Sequence, residues 1–166
     1  MALNNLEDLY IAELKDIYSA NKQSKSTTKM LAKEATDAEL VKALERGVEG
    51  VEDGMKTMES ILEKHGHKPS GEFCKGMEGL IKEAKHHVTE ESFGDSDVKD
   101  AMIITQYQRM EHYAIAGYGC LETFARRLGL EEDADKIKSC LEATKDGDVF
   151  LSKLAEKEIN KSALAA

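Results

Sequence analysis

Apolar residues recur every three or four positions through most of the 166 residues of the chain, and its single proline, Pro69, lies between two of these periodic runs. Such spacing places apolar side chains along one face of an α-helix. No segment alternates apolar and polar residues over a length typical of a β-strand, so the sequence indicates an all-α chain. The periodic runs predict four long helices and one shorter helix, at 5–33, 37–65, 96–128, 131–158 and 71–90 respectively.

The expected helix ends carry ordinary start and stop residues. Asn4 or Asn5 is placed to cap the first helix, Thr36 and Asp37 to cap the second, and Gly66 to end the second. Short connections make the first and second long helices antiparallel neighbours, and likewise the third and fourth. We therefore predict a single domain over 1–166, a ferritin-like antiparallel four-helix bundle with a short extra helix in the crossover between the second and third long helices.

The charge balance excludes several classes of function. The chain has 23 Lys and Arg against 32 Asp and Glu, a formal net charge of −9, and its basic residues are interspersed with acidic ones. Nucleic acid is not an expected partner, because binding to phosphates requires a basic surface. No stretch approaches the roughly 20 consecutive apolar residues of a membrane span, so we expect no contact with membranes.

The cysteines and the absence of catalytic motifs exclude further classes of protein. Cys74, Cys120 and Cys140 lie far apart, which argues against a disulfide framework or a zinc ribbon and favours the reducing cytoplasm. We find no phosphate-binding glycine loop, no nucleophile elbow and no Ser/His/Asp grouping. The sequence therefore favours a protein that is not an enzyme.

Several histidines surround the predicted crossover. His65 and His67 lie at a helix end, and His86 and His87 lie on the short helix, which is rich in Lys and Glu. We expect these histidines to be solvated and not to bind a metal.

Small or polar residues replace large apolar ones halfway along the inward face of every long helix. Glycine inside a helix costs roughly 1 kcal/mol relative to alanine, so the three on the second helix cost about 3 kcal/mol. Two interpretations stay open, namely close approach of helix backbones and a cavity at the bundle centre. Nearby tyrosine hydroxyls would need a partner such as Asn21, Thr144 or a bound ligand. The belt and the tyrosines beside it comprise Tyr18, Asn21, Gly47, Gly50, Gly54, Ala114, Gly117, Tyr118, Thr144 and Gly147.

Three separate blocks of sequence resemble one family. These are the N-terminal run from Leu6 to Gln23, the segment Met77-Glu-Gly-Leu-Ile-Lys-Glu-Ala84, and Glu111-His-Tyr-Ala-Ile-Ala-Gly-Tyr-Gly119. In this order they are similar to the YciF/YciE-type family of bacterial stress-associated proteins. The resemblance implies a ferritin-like fold, a homodimer and a dimetal site built from carboxylates and histidines.

The chain departs from that family at most of the implied metal positions. Where the resemblance implies carboxylate or imidazole ligands, this sequence has Asn21, Gly47, Gly50, Ala114 and the pair Ala143 and Thr144. The matching positions are Glu111, His112, Glu142 and Asp148. The belt of small residues thus coincides with the metal site that the resemblance implies.

Three hypotheses about function follow. In the first, the chain is a non-enzymatic stress-associated protein with a degenerate dimetal site and no cofactor, whose central cavity is lined by Tyr18, Asn21, Gly47, Gly50, Ala114 and Thr144. In the second, an altered ligand set of Glu49, Glu52, Glu111 and Asp148 still binds iron or manganese, for storage or for redox chemistry. In the third, the emptied centre binds a small molecule or serves an enzyme.

Overall fold

The computed structural model describes residues 3–165, so Met1, Ala2 and Ala166 of the predicted domain lie outside it. Within this described range the chain forms six α-helices, together with π-helical turns at His86–Glu90 and Ala155–Ile159. No strand occurs in the described part of the chain, so the all-α prediction is confirmed. The helices are α1 (Leu6–Glu34), α2 (Ala38–Lys64), α3 (Lys75–Lys85), α4 (Ser96–Arg127), α5 (Glu131–Leu154) and α6 (Asn160–Ala165).

The capping residues explain where the first two helices begin. The Asn5 side chain accepts a hydrogen bond of 2.8 Å from the backbone N–H of Asp8. Asp37 does the same for the N–H groups of Glu39 and Leu40, at 2.9 and 2.8 Å. These bonds satisfy backbone donors that have no partner inside the helix, and both caps are as predicted.

Two segments differ from the sequence-based prediction. The crossover helix begins at Lys75 and not at 71, because Cys74 caps it. Phe73, which precedes this cap, is 56% exposed. The last long α-helix ends at Leu154 and not at 158, but the chain stays helical. It continues through the second π turn, where Ile159 is buried, into α6.

The four long helices pack in a ring. α1 contacts α2 and α4, and α5 contacts the same two helices from the other side. The short crossover helix α3 packs against α1 and α4, on the side of the ring opposite α2 and α5. The predicted four-helix bundle with an extra crossover helix is therefore confirmed.

The apolar core is divided into two halves. One half contains Leu31, Leu44 and Leu151, and the other contains Leu14 and Leu121 among its fully buried side chains. The residues between them along each long helix form a central layer that includes four of the buried polar side chains of α1, namely Asn21, Ser24, Thr27 and Thr28. The predicted belt of small residues lies in this layer.

At each end of the bundle, a fully buried aspartate connects one helix to a neighbouring segment. Asp100 of α4 accepts hydrogen bonds from the backbone N–H groups of Thr36 and Asp37, at 2.9 and 2.7 Å, and so holds the connection between α1 and α2. At the other end Asp133 of α5 pairs with Lys64 at 2.8 Å, where α2 finishes. Buried carboxylates of this kind require such donors, because an unpaired buried charge is costly.

Candidate functional site

A cleft of about 690 Å³ opens between α2 and α5 and reaches into the central layer. Its walls come from the two helices that α3 does not cover, and its floor comes from α1, α4 and Met77 of α3. Most ligand pockets have this combination of a concave shape, an apolar lining and a few polar groups. The cleft is therefore the candidate functional site.

Two of the glycines on α2 make room for tyrosines of α4. A Cβ atom at position 47 would collide with the Tyr107 hydroxyl and lie 3.0 Å from its Cζ. A Cβ atom at position 54 would collide with the Tyr118 hydroxyl in the same way. Side chains, and not the close approach of helix backbones, explain these two glycines, because a tyrosine of α4 occupies the space of each missing Cβ atom.

Gly50 has a different environment. A Cβ atom there would meet no other atom within 4 Å, because Gly50 faces the open cleft. The second interpretation, a cavity, thus applies at this position. The belt combines tight packing at Gly47 and Gly54 with open space at Gly50.

One tyrosine hydroxyl finds the partner that the sequence suggested. The Asn21 side-chain amide donates a hydrogen bond of 2.7 Å to the Tyr118 hydroxyl, and both residues are buried. This bond joins α1 to α4 beside Gly54, where the Tyr118 hydroxyl occupies the space of a Cβ atom. It also satisfies a polar group in the layer where the apolar core is interrupted.

Glu111 lies on the floor of the cleft and is only 9% exposed. Its Oε2 atom is buried and has no hydrogen-bond partner, and its Oε1 atom would lie 3.0 Å from a Cβ atom at Gly147. Burial raises the pKa of Glu111 to about 8, with a hydrogen bond from Tyr107 opposing the rise and the charge of Asp148 adding to it. At neutral pH the carboxyl group therefore holds its proton.

The structure brings together most of the belt residues that the sequence singled out. Asn21, Gly47, Gly50, Ala114 and Thr144 all line the cleft. Tyr18 is not among the lining residues.

The four candidate metal ligands do not converge. Glu52 pairs with Lys25 of α1 at 2.7 Å, and Glu49 is exposed on the outside of α2. Asp148 accepts a hydrogen bond from Gln108 at 2.8 Å. Only Glu111 of the four lines the cleft.

This donor set does not fit a dimetal centre. Two metal ions in a helical bundle require several carboxylates and imidazoles that project inward from facing helices. In the described range 3–165, no group of three His, Cys, Asp or Glu side chains at the bundle centre has its ligand atoms within 4.8 Å of one another. We therefore derive no chemistry through metal ions at this site.

Sequence reasoning missed several residues of the cleft. The helical pattern did not place Tyr107 beside the belt, although its hydroxyl fills the space next to Gly47. Arg46 and Phe150 lie at the rim, where the guanidinium carbon is 5.2 Å from the ring centroid. The sequence did contain one sign of these tyrosines. Gly47 and Gly54 lie two helical turns apart, so the space left by each missing side chain lies on the same face of α2.

The fold and the cleft define an all-α, four-helix-bundle protein with a polar central layer. No helix within residues 3–165 combines the length and the apolar character needed to cross a bilayer. The chain matches the family described as "Domain of unknown function (DUF892)" over residues 5–164, and it belongs to this family.

A similar protein and two solved structures support the assignment to this family. Protein YciF of Escherichia coli strain K12 is 35% identical over 164 residues, which cover 98% of each chain. The crystal structure of the E. coli stress protein YciF superposes with a TM-score of 0.88 at 34% identity, covering 96% of this chain and 99% of that one. YcfI from Rhodopseudomonas palustris gives a TM-score of 0.84 at 32% identity, with 90% and 94% covered. The predicted resemblance to YciF-type proteins is confirmed.

The two kinds of glycine predict opposite effects of adding a methyl group. Gly50→Ala should raise the free energy of unfolding by about 1 kcal/mol, because alanine favours the helix and the added methyl group meets open space. Gly47→Ala should lower it, because Tyr107 must move and its packing is lost. Urea denaturation of both variants measures the two values, and equal signs would contradict this account of the belt.

The raised pKa of Glu111 predicts that the free energy of unfolding depends on pH. Its folded pKa of about 8 exceeds its ordinary value of 4.5, so the folded state holds a proton that the unfolded state has lost between these values. The stability from this group is complete below about pH 4.5 and disappears as the pH rises through 8, at about 1.4 kcal/mol per pH unit. Glu111→Gln should lack this slope in urea denaturation between pH 5 and 8.

The matched control is Glu49→Gln on the exposed side of α2. This variant should keep the wild-type slope. A Glu111→Gln protein with an unchanged slope would show that the carboxyl group is ionised in the folded state.

Proposed function

We propose that this protein is a stress-associated binding protein of ferritin-like fold that is not an enzyme and that binds a small molecule in the α2–α5 cleft. The dimetal site that the family resemblance implied is degenerate in this proposal. The small molecule occupies the position where ferritin-like relatives would bind metal ions.

The observation that supports this proposal best is the unpartnered Oε2 atom of Glu111. A polar atom buried without a partner costs about 1–3 kcal/mol, so a ligand that hydrogen-bonds to it gains that amount. Because the carboxyl group is protonated at neutral pH, it can donate its hydrogen to an acceptor on the ligand.

The other residues that line the cleft indicate what kind of ligand would fit it. Met110, Tyr107 and Phe150 provide apolar surface, whereas Ser24 and Thr28 on α1 add small hydroxyl groups. A ligand that suits this lining has an apolar body and one carbonyl or similar acceptor. The proposal is binding and not catalysis, because Asp148 is engaged by Gln108 and does not line the cleft with Glu111.

A titration with a simple amide tests the proposal. N-methylacetamide and its longer N-alkyl homologues, added to ¹⁵N-labelled protein, should cause saturable shifts in the backbone amide signals of Gly47, Gly50, Gly54 and Gly147. Gly50→Leu should abolish these shifts, because leucine fills the cleft without displacing a neighbour of the Cβ atom.

The control for this experiment is Gly79→Leu on α3. Gly79 is also exposed and has no atom near a Cβ position, but it does not line the cleft. This variant should bind as the wild type does. Two outcomes would overturn the proposal, namely unchanged shifts in Gly50→Leu and near-stoichiometric iron or manganese in the purified wild type that the Glu111→Gln variant no longer binds.

We also propose that the protein is a cytoplasmic homodimer, as the family resemblance implies. All three cysteines are free thiols, which a reducing compartment preserves. Sedimentation velocity of the full chain should give a mass near twice the 18.4 kDa of one chain. A single species of one-chain mass at micromolar concentration would exclude the dimer.

A further inference from the structure

The π-helical turn that follows α3 brings two adjacent histidines together. In an α-helix, neighbouring residues do not face each other. In the turn His86–Glu90 the hydrogen bonds are wider, and the ring centroids of His86 and His87 are 5.2 Å apart. Turns of this kind occur often at functional sites, and this one places two imidazoles on one side of the chain.

Glu91 completes a group of three ligand atoms. Its Oε1 atom lies 2.8 Å from Nδ1 of His87 and 3.9 Å from Nε2 of His86. Bonds of about 2.0–2.2 Å at tetrahedral angles would separate ligand atoms by roughly 3.3–3.6 Å. The two measured distances bracket this range, so small rotations of the side chains would position all three atoms around one ion.

Glu90 orients the first of these histidines. Its Oε2 atom is 3.0 Å from Nδ1 of His86, on the ring edge away from the Nε2 atom that faces Glu91. When Nδ1 donates its hydrogen to Glu90, Nε2 carries the free lone pair. A carboxylate behind a metal-binding histidine commonly has this function, because it fixes the tautomer and the ring orientation.

We propose that His86, His87 and Glu91 bind a divalent transition-metal ion of the class that prefers imidazole, such as Zn²⁺ or Ni²⁺. Glu90 acts as the positioning residue, and water occupies the fourth position, because the group is open to solvent. Among residues 3–165 it is the one group of three such side chains whose ligand atoms all lie within 4.8 Å of one another. Both histidines are accessible to solvent, as the sequence predicts, and the proposal differs from that prediction only in adding a metal ion.

The site is separate from the central cleft. None of its residues lines the cleft, and it follows the crossover helix on the other side of the ring. A bound ion would join the π turn to the start of the loop that leads to α4. Its presence or absence leaves the proposal about Glu111 unchanged.

Isothermal titration calorimetry of the full chain with Zn²⁺ and Ni²⁺, without chelators, tests this proposal. One equivalent of either ion should bind per chain, whereas Mg²⁺ and Ca²⁺, which require oxygen ligands, should not bind. His87→Ala should abolish binding. Glu90→Gln should weaken it by about 10–100-fold, as expected when a residue behind a ligand is changed.

Two matched variants exclude other sources of binding. His67→Ala removes a histidine outside the group, and Cys120→Ser removes an exposed thiol that could also bind Zn²⁺. Both should bind as the wild type does. Unchanged binding in His87→Ala, or equal binding of Zn²⁺ and Mg²⁺ by the wild type, would overturn the proposal.

Discussion

The central polar layer of the bundle must satisfy its own hydrogen bonds, because apolar core lies on both sides of it. Asn21 and Tyr118 do so by bonding to each other across α1 and α4. Glu111 has no comparable partner for its second oxygen, and burial therefore keeps it protonated. The two apolar halves stabilise the fold, and the layer between them contains the buried polar groups that face the cleft.

Much of the fold follows from local rules that a single sequence displays. The 3.6-residue period and the caps at Asn5 and Asp37 place the long helices almost to the residue. The rules failed where tertiary contacts decided the outcome. Cys74 caps the crossover helix later than its apolar pattern suggests, and burial of Ile159 extends helical structure beyond the predicted end at 158.

The candidate site could be predicted only in part, for a related reason. Helical phase located Asn21 and Gly50 in the central layer, since it depends on one helix at a time. It could not show that tyrosine side chains of α4 fill the space beside Gly47 and Gly54, because that fact depends on the separation of two helices. It also gave no sign that a π turn would bring His86 and His87 together, since neighbouring residues diverge in an ordinary helix.

The contact between Gly47 and Tyr107 limits which residues the bundle centre can accept. The resemblance to YciF-type proteins implies a histidine at this position, yet any side chain placed there would collide with the Tyr107 hydroxyl. A larger residue at position 47 would therefore require the tyrosine to change before or together with the glycine. The constraint acts in one direction only, because glycine at position 47 leaves Tyr107 free to be replaced by a smaller residue.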